Sequence, residues 1–439
     1  MARARFDVGS VQLLANRTGE PEWLRAVRFE AFSRFEVLPW PETTTEEWRH
    51  TDLRGLDLVD FDGVPAPNEQ VRTLDELPAE VRALIGEHSG VSVQMDADTI
   101  YSELEPDLAR QGVVFAPLGH AGHSHQYILE REIGRAGVSD HELKLSTLAA
   151  AFTSGGTFIF VPRGVSVHKP LEAIRYMTRG SAAMCPRVVI VADEGAEVTF
   201  IDRYAGSGID SPSLCVALVE IYAHPGSSID YLAMQDWPPN VWHFNIQRAL
   251  IERDATVRSL AASFGAKLSR SVVESILDGE GAHAEMLGLY FGDGDQHIDN
   301  RTLQLHRAPH TTSKVYYKGA LKGTSRAIYS GLVDLEKEAA KADAQQENRN
   351  LLLSQGASAA PTPFLEIKTS EVSRATHGVS VGRPEDDVLF YLRSRGLDER
   401  AAERVYVQGF FQQAIDRVRV PEVRASLESA VEAELEVEG

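Results

Sequence analysis

A recurrence near thirty residues governs how the middle of this chain can fold. A turn of small or polar residues leads into a strand-like run at Gly195 (GAEVTF), Gly226 (GSSIDY), Asp254 (DATVRS), Gly281 (GAHAEM) and His310 (HTTSKV), at intervals of 31, 28, 27 and 29. Around these starts lie short runs rich in Val, Ile, Phe and Tyr, among them TFIFVP from Thr157, RVVIVAD from Arg187, CVALVEIYA from Cys215 and MLGLYFG from Met286. Their length and their bounding Gly, Asp, Ser and His turns read as strands. A period of this length in an all-β stretch predicts stacked solenoid coils, each burying its face against the next. A sandwich whose meander happens to repeat is the alternative that spacing alone leaves open.

Both flanks have helical texture. Leu24, Val27, Ala31 and Phe35 recur three or four apart, predicting an amphipathic helix from Glu22 to Glu36. LPWPETTTEEWRHTDL, from Leu38, reads as a loop followed by a capped helical turn, with further helical spacing around Leu74 to Ile85. The texture changes near residue 112. Beyond Pro384, Val388, Tyr391 and Leu392 share a helical face, Gly396 is placed to stop that helix, a second begins near Asp398, and a short acidic helix runs from Pro421 to Glu434.

At 43% hydrophobic and 25% charged, the 439 residues suit a folded protein of several units. The 44 Lys and Arg against 64 Asp and Glu leave a net charge of -20, and no basic block interleaves with aromatics, which argues against a nucleic-acid partner. Two cysteines, Cys185 and Cys215, with no C-x-x-C, argue against a disulfide framework or a self-contained thiolate metal site and suit a reducing cytoplasm. The first twenty residues lack an apolar signal core, and 18 uninterrupted apolar residues occur nowhere, so neither secretion nor membrane insertion is expected.

Several constellations invite chemical readings. GVSVG, Gly378 to Gly382, matches a nucleophile elbow in letters, but Arg383-Pro384 follows where a helix should begin, so alternating small residues in a strand is the better reading. His120, His123 and His125 fall within six residues, yet no fourth ligand accompanies them. Asp293, Asp295, His297 and Asp299 alternate and would share a face if extended, although the calcium-loop pattern is absent. His283-x-Glu285 echoes a deaminase half-motif without the cysteine pair that would hold zinc. No phosphate-binding GxxxxGK[ST] or complete GxGxxG occurs.

Longer segments carry a resemblance. DGDQHIDNRTLQLHRAPHTTSKVYYKGAL from Asp293, QQENRNLLLS from Gln345, PFLEIKTSEVSRATHGVSVG from Pro363 and LFYLRSRGL from Leu389 resemble, in order, the SufB/SufD family of iron-sulfur cluster assembly proteins. EEWRHTDL from Glu46 and TSGGTFIFVPRGVSVHKPLEA from Thr153 agree with them. The resemblance covers most of the chain and is faintest over the first 20 residues and from 54 to 140. It implies a mainly β fold with α: an N-terminal helical domain (1–112), a right-handed parallel β-helix core (113–383) and a C-terminal helical domain (384–439).

SufB is distinguished in the family by a cysteine on a late strand, an E-H-E triplet and another cysteine after an R-A-L segment. Ile367, Thr376-His377-Gly378 and Ile251 stand at those places here, which brings the chain closer to the SufD branch. SufD proteins typically read C-S-H-G where this chain reads Ala375-Thr376-His377-Gly378. The resemblance therefore makes the His377 imidazole the candidate iron ligand, since histidine can replace cysteine on iron, with a structural or proton-handling role as the alternative.

By the same resemblance the chain is a non-catalytic scaffold subunit. Its core pairs with that of SufB, its C-terminal domain docks the SufC ATPase, and an iron-sulfur cluster is held transiently at the SufB junction, with none expected in the isolated chain. A homodimer of the isolated chain is allowed by the same edge pairing. Tyr391, Arg393, Arg395 and Gly396 are the partner-binding candidates, for which packing against the core is the alternative. Two other function classes compete: a stand-alone metal-dependent enzyme using His297 with Asp295 and Asp299, and a SufB-like homodimeric scaffold.

Overall fold

Successive strands of the core do not pair with each other but with the strand after next. In the computed structural model, which describes residues 6–436, they alternate between two ten-stranded sheets. One sheet stacks Glu197–Gly206, Ser228–Asp236, Thr256–Ser263, His283–Gly292, Thr312–Leu321, Ala342–Leu352 and Val372–Gly382, each parallel to the last. The other stacks Ser213–Ala223, Val241–Ile251, Leu268–Leu277, His297–His306, Arg326–Leu335 and Ser358–Ile367 in the same way. This is a parallel β-helix, and all-parallel pairing rules out the meandering sandwich.

The register reproduces the sequence period. Glu197 pairs Ser228, Ser228 pairs Thr256, Thr256 pairs His283 and His283 pairs Thr312, offsets of 31, 28, 27 and 29 residues. Each repeat start turns the chain at a coil corner with positive φ: Gly195 (66°), Gly226 (69°), Asp254 (57°), Gly281 (73°) and His310 (59°), with Gly164 (69°) and Lys341 (58°) extending the series at both ends. The left-handed conformation explains glycine at four of these seven corners.

Sheets buried on both faces read as near-continuous apolar runs, and every residue of Ser213–Ala223 is buried. Inward-facing Val198, Ile229, Val257, Ala284, Val219 and Ile221 form the apolar core of the earlier coils. One outer face is covered by helices Val8–Arg17, Glu22–Val37 and Leu143–Ala151 through Leu14, Phe32, Phe35 and Leu148 packed on Val216 and Phe244. The opposite outer face receives helices Glu399–Ile415 and Pro421–Glu436, whose Val407, Phe411 and Leu427 pack on Leu260, Leu289 and Phe291.

The flanks interpenetrate the core more than their texture suggests. Gly90–Met95 precedes residue 113 yet pairs in parallel with Leu171–Met177, while helices Leu118–Ser124, Gln126–Glu132 and Leu143–Ala151 follow it. The buried face of Glu22–Val37 runs through Leu24, Arg28, Phe32 and Phe35. Arg28 replaces the expected apolar Val27 and Ala31 because Glu20 and the carbonyls of Ala151 and Thr153 receive its guanidinium. Thr45 to Thr51 forms successive three-residue turns, and Leu74 to Ile85 resolves into a 3-10 turn and the short helix Ala79–Arg82. At the other end Asp398 caps Glu399–Ile415, accepting from the Ala401 N–H at 2.8 Å.

Candidate functional site: the open end of the core

The two ends of the solenoid are built differently. At the N-terminal end each sheet finishes in an antiparallel strand, Asp98–Leu104 on Gly90–Met95 and Val114–Pro117 on Thr157–Val161. At the other end both sheets finish in full-length parallel strands, Ser358–Ile367 and Val372–Gly382, each paired on one side only. Their apolar side chains face solvent: Phe364 is 41% exposed, Ile367 47%, and Val379 and Val381 42% each. Long, apolar, unpaired edges are what isolated proteins avoid, because the free N–H and C=O rows template pairing with another chain.

His377 sits mid-strand at this end. Its ladder partner is Gln346, whose side chain points into the core and donates to the Tyr329 hydroxyl at 2.8 Å. Residues paired across a parallel ladder share a face, so His377 lies on the inward side of the last coil, exposed because no further coil covers it. The edge borders a cleft of about 510 Å³ lined by His377, Thr376, Glu347, Arg349, Lys314 and Arg417. Ile367 also lies on the inward side of its strand, in register with buried Leu335, whereas Ile251 is sealed in the apolar core.

The chain leaves Gly382 through Pro384 into helix Asp386–Ser394, which buries none of its residues. Phe390 is 75% exposed and Tyr391 55%, an apolar helix surface left uncovered among the described residues. Arg393 and Arg395 are exposed beside it, with the Arg395 guanidinium 5.1 Å from the Tyr391 ring centroid. Gly396 terminates the helix at φ 99°, its N–H donating to the Arg393 carbonyl. His377 and these four residues thus fall on the last strand and the helix that follows it.

The other candidates are occupied elsewhere. Asp293 to Gln296 forms a turn and the strand starts only at His297, so the alternating acids and histidine do not share one extended face. Asp299 is fully buried against Arg270 and Arg301 and accepts from Thr51 at 2.6 Å, and the guanidinium of Arg270 beside it lowers its pKa against the opposing effect of burial. His297 also meets Thr51, at 3.2 Å, and burial pushes its imidazole down. Thus His297 and Asp299 are tied into an ion-pair network. His123 bonds the Gly19 carbonyl and His125 the Ser124 hydroxyl. His283 pairs with Glu285 at 3.4 Å, and this hydrogen bond takes the carboxyl down to about 2. Both cysteines are buried, burial pushing the Cys185 thiol up to about 12 and Cys215 well above its usual value. Among the described residues no group of three or more His, Cys, Asp and Glu is arranged to hold a metal ion, and no helix is long and apolar enough to cross a membrane.

Two structural centres escaped the sequence reading. Arg270 is buried between Asp299, Glu142 and the Trp48 ring, 3.7 Å from that centroid, and so binds the EEWRHTDL segment to the core. Arg175 meets Asp202 at 2.7 Å, and the Tyr204 and Tyr231 hydroxyls donate to the same carboxylate inside the solenoid.

Residues 175–410 match the model of the SufBD core domain of the SUF system for iron-sulfur cluster assembly, and residues 15–173 match the SufBD N-terminal region. The chain belongs to the SufBD family. Curated SufBD relatives include an iron-sulfur cluster assembly SufBD family protein of Staphylococcus saprophyticus, 28% identical over 413 residues that span 92% of this chain and 87% of that protein. A SufBD family protein of Staphylococcus aureus strain MRSA252 is also 28% identical over the same shares. The SufBD core match runs beyond the open end into Glu399–Ile415, so the exposed strands and helix Asp386–Ser394 lie within the family's own domain.

Proposed function

We propose that this chain is the SufD-type scaffold subunit of a cytoplasmic iron-sulfur assembly complex, its core paired end to end with that of SufB and its C-terminal unit, residues 384–439, docked to the SufC ATPase. The observation that carries this reading is the pair of one-sided, apolar, full-length parallel edge strands at one end of a solenoid whose other end finishes in antiparallel strands. A second core stacked there pairs the free backbone groups and covers Val379, Val381 and Ile367. The unburied helix Asp386–Ser394, with Tyr391, Arg393, Arg395 and Gly396, lies next to that junction in the chain and offers the ATPase a handle.

The cluster is cargo, held at the junction. Buried, high-pKa Cys185 and Cys215 are unsuited to supply thiolates, whereas His377 presents its imidazole at the edge where the partner stacks. The chain itself is non-catalytic in this reading; ATP hydrolysis belongs to SufC, and its dimer closure moves the two C-terminal units against the junction.

The test is anaerobic co-expression with the SufB and SufC counterparts, measuring complex yield, iron and acid-labile sulfide. Val379→Asp with Val381→Asp is expected to abolish the SufB contact while leaving a folded monomer, and His377→Ala to leave the complex intact but lower its iron and sulfide. A wild-type chain that forms no complex sinks the assembly reading, and unchanged cluster content in His377→Ala removes the imidazole from the ligand set.

A further inference from the structure

The interior of the solenoid mixes apolar and polar side chains. The earlier coils are filled mainly by Val, Ile and Phe around the buried Arg175–Asp202 pair, and from Val241–Ile251 onward further polar side chains stand inward beside apolar Met286, Val315 and Leu321. Hydrogen bonds between the sheets place these side chains inside: Gln247 donates to Ser259 at 2.6 Å, Gln304 to Ser313 at 2.5 Å, and Gln346 to Tyr329 at 2.8 Å. His306 lies among them, fully buried, on the hydroxyls of Thr311 and Ser313.

Many of the inward polar atoms nevertheless have no hydrogen-bond partner among the described residues, and they fall in rows. Asn245 Oδ1, Ser271 Oγ and Asn300 Nδ2 are unpartnered, and Asn245 pairs Ser271, which pairs Asn300, on successive coils. His243 and Ser269 form a second such row, and Ser275 Oγ with Gln304 Oε1 a third. All seven are at most 4% exposed. Chance orphans would scatter; these are ladder neighbours.

Adjacent strands lie about 4.8 Å apart. That is too far for a serine hydroxyl to meet its ladder neighbour directly, and it suits one water that bonds both at about 2.8 Å. Buried polar groups are almost always satisfied by protein or ordered water, and neighbouring rows offer each water the two to four polar partners it needs. We infer that the later coils enclose a file of ordered water molecules along the rows His243–Ser269, Asn245–Ser271–Asn300 and Ser275–Gln304, continuing through Gln346 to the open end.

The file has a direction. Gln346 Oε1 is itself unpartnered, and its neighbour on the next coil is His377, the inward imidazole at the open end. Toward the N-terminus the rows meet buried Cys215 and Ala217, with the Tyr204 ring 5.5 Å from that of His243. In this inference the water file ends beneath His377 and joins buried His306 to that edge. It stands whatever partner stacks there.

The test is a crystal structure of the full chain at a resolution that shows ordered water, followed by xenon pressurisation of the same crystals. Water within hydrogen-bond distance of Asn245 Oδ1, Ser271 Oγ and Asn300 Nδ2, with no xenon in these rows, is the expected result. Xenon in the rows overturns the inference, because dry apolar cavities take up xenon, and so do rotamers that pair the polar groups directly with no water between them. The Asn300→Leu variant is expected to lose the waters of its row while those between Ser275 and Gln304 persist; persistence of the first set in that variant places them elsewhere and overturns the assignment.

Discussion

The coil corners yield a two-sided stability test. Gly195 has φ 66°, and a Cβ added there meets nothing within 4 Å, so Gly195→Ala isolates backbone strain. An L-residue in the left-handed region costs roughly 1–2 kcal/mol, while the smaller unfolded-state entropy of Ala returns about 0.4–1 kcal/mol; a net loss of about 1 kcal/mol is expected. Gly281 has φ 73°, and its added Cβ lies 2.4 Å from Asp254 Oδ1, so Gly281→Ala bears the same strain and must also displace that carboxylate. Its loss is expected to reach about 2 kcal/mol, at the low end of strained substitutions. Lys341 occupies the equivalent corner with φ 58° and an exposed side chain, so Lys341→Gly relieves strain and gains up to about 1 kcal/mol. Urea titrations followed by far-ultraviolet circular dichroism give the ordering, which should appear as midpoint shifts at constant slope. A neutral Gly195→Ala together with a destabilising Lys341→Gly would refute the assignment of these corners as left-handed turns.

Three further outcomes follow from packing and charge. His224 lies 3.2 Å from both Glu132 and Glu252, and the hydrogen bond to Glu132 leads in raising its imidazole to about 9. Its stabilisation is full below the unfolded value near 6.5 and lost as pH rises through 9; after solvent screening this is about 1–2 kcal/mol, and urea midpoints from pH 6 to 10 should fall less steeply in His224→Gln. Phe411 is fully buried, 6.3 Å from the Phe291 ring, so Phe411→Ala should weaken docking of the last two helices by about 3–5 kcal/mol and expose them to protease while the core stays folded; an unchanged digest argues against that docking. Cys185 and Cys215 should resist maleimide in the native protein and label only on unfolding, so rapid native labelling would contradict their burial.

Much of the fold was legible because the residues that mark it act locally. The repeat starts are corners where a left-handed turn selects small or polar residues, and their spacing reappears as the strand register. Gly396 and Asp398 bracket the C-terminal helices for equally local reasons. What was not legible depends on which face a side chain takes. In LSRSVVESIL, Ser269, Ser271 and Ser275 point inward while Arg270 and Glu274 are buried outward beneath the N-terminal segment. Both faces of that strand carry polar residues, so alternation cannot tell core from surface. The same ambiguity concealed Arg28 and made Asp293 to Asp299 resemble a shared acidic face.

The position of the polar interior bears on how the open end works. A solenoid gains stability mainly from contacts between neighbouring coils, and an apolar interior would supply it without the desolvation penalties that buried amides bring. The coils next to the exposed strands nevertheless carry inward Gln304, His306, Gln346 and Asn348 beside apolar Leu321 and Val333. An end that stacked on its partner by hydrophobic contact alone would need no such side chains beneath it. His377, Val379 and Val381 stand in succession on the inward side of the last strand, so a partner coil placed over them meets apolar contacts beside an imidazole backed by hydrogen-bonding side chains. Disrupting the valines and disrupting His377 should consequently separate, the first changing assembly and the second changing what the assembled junction holds.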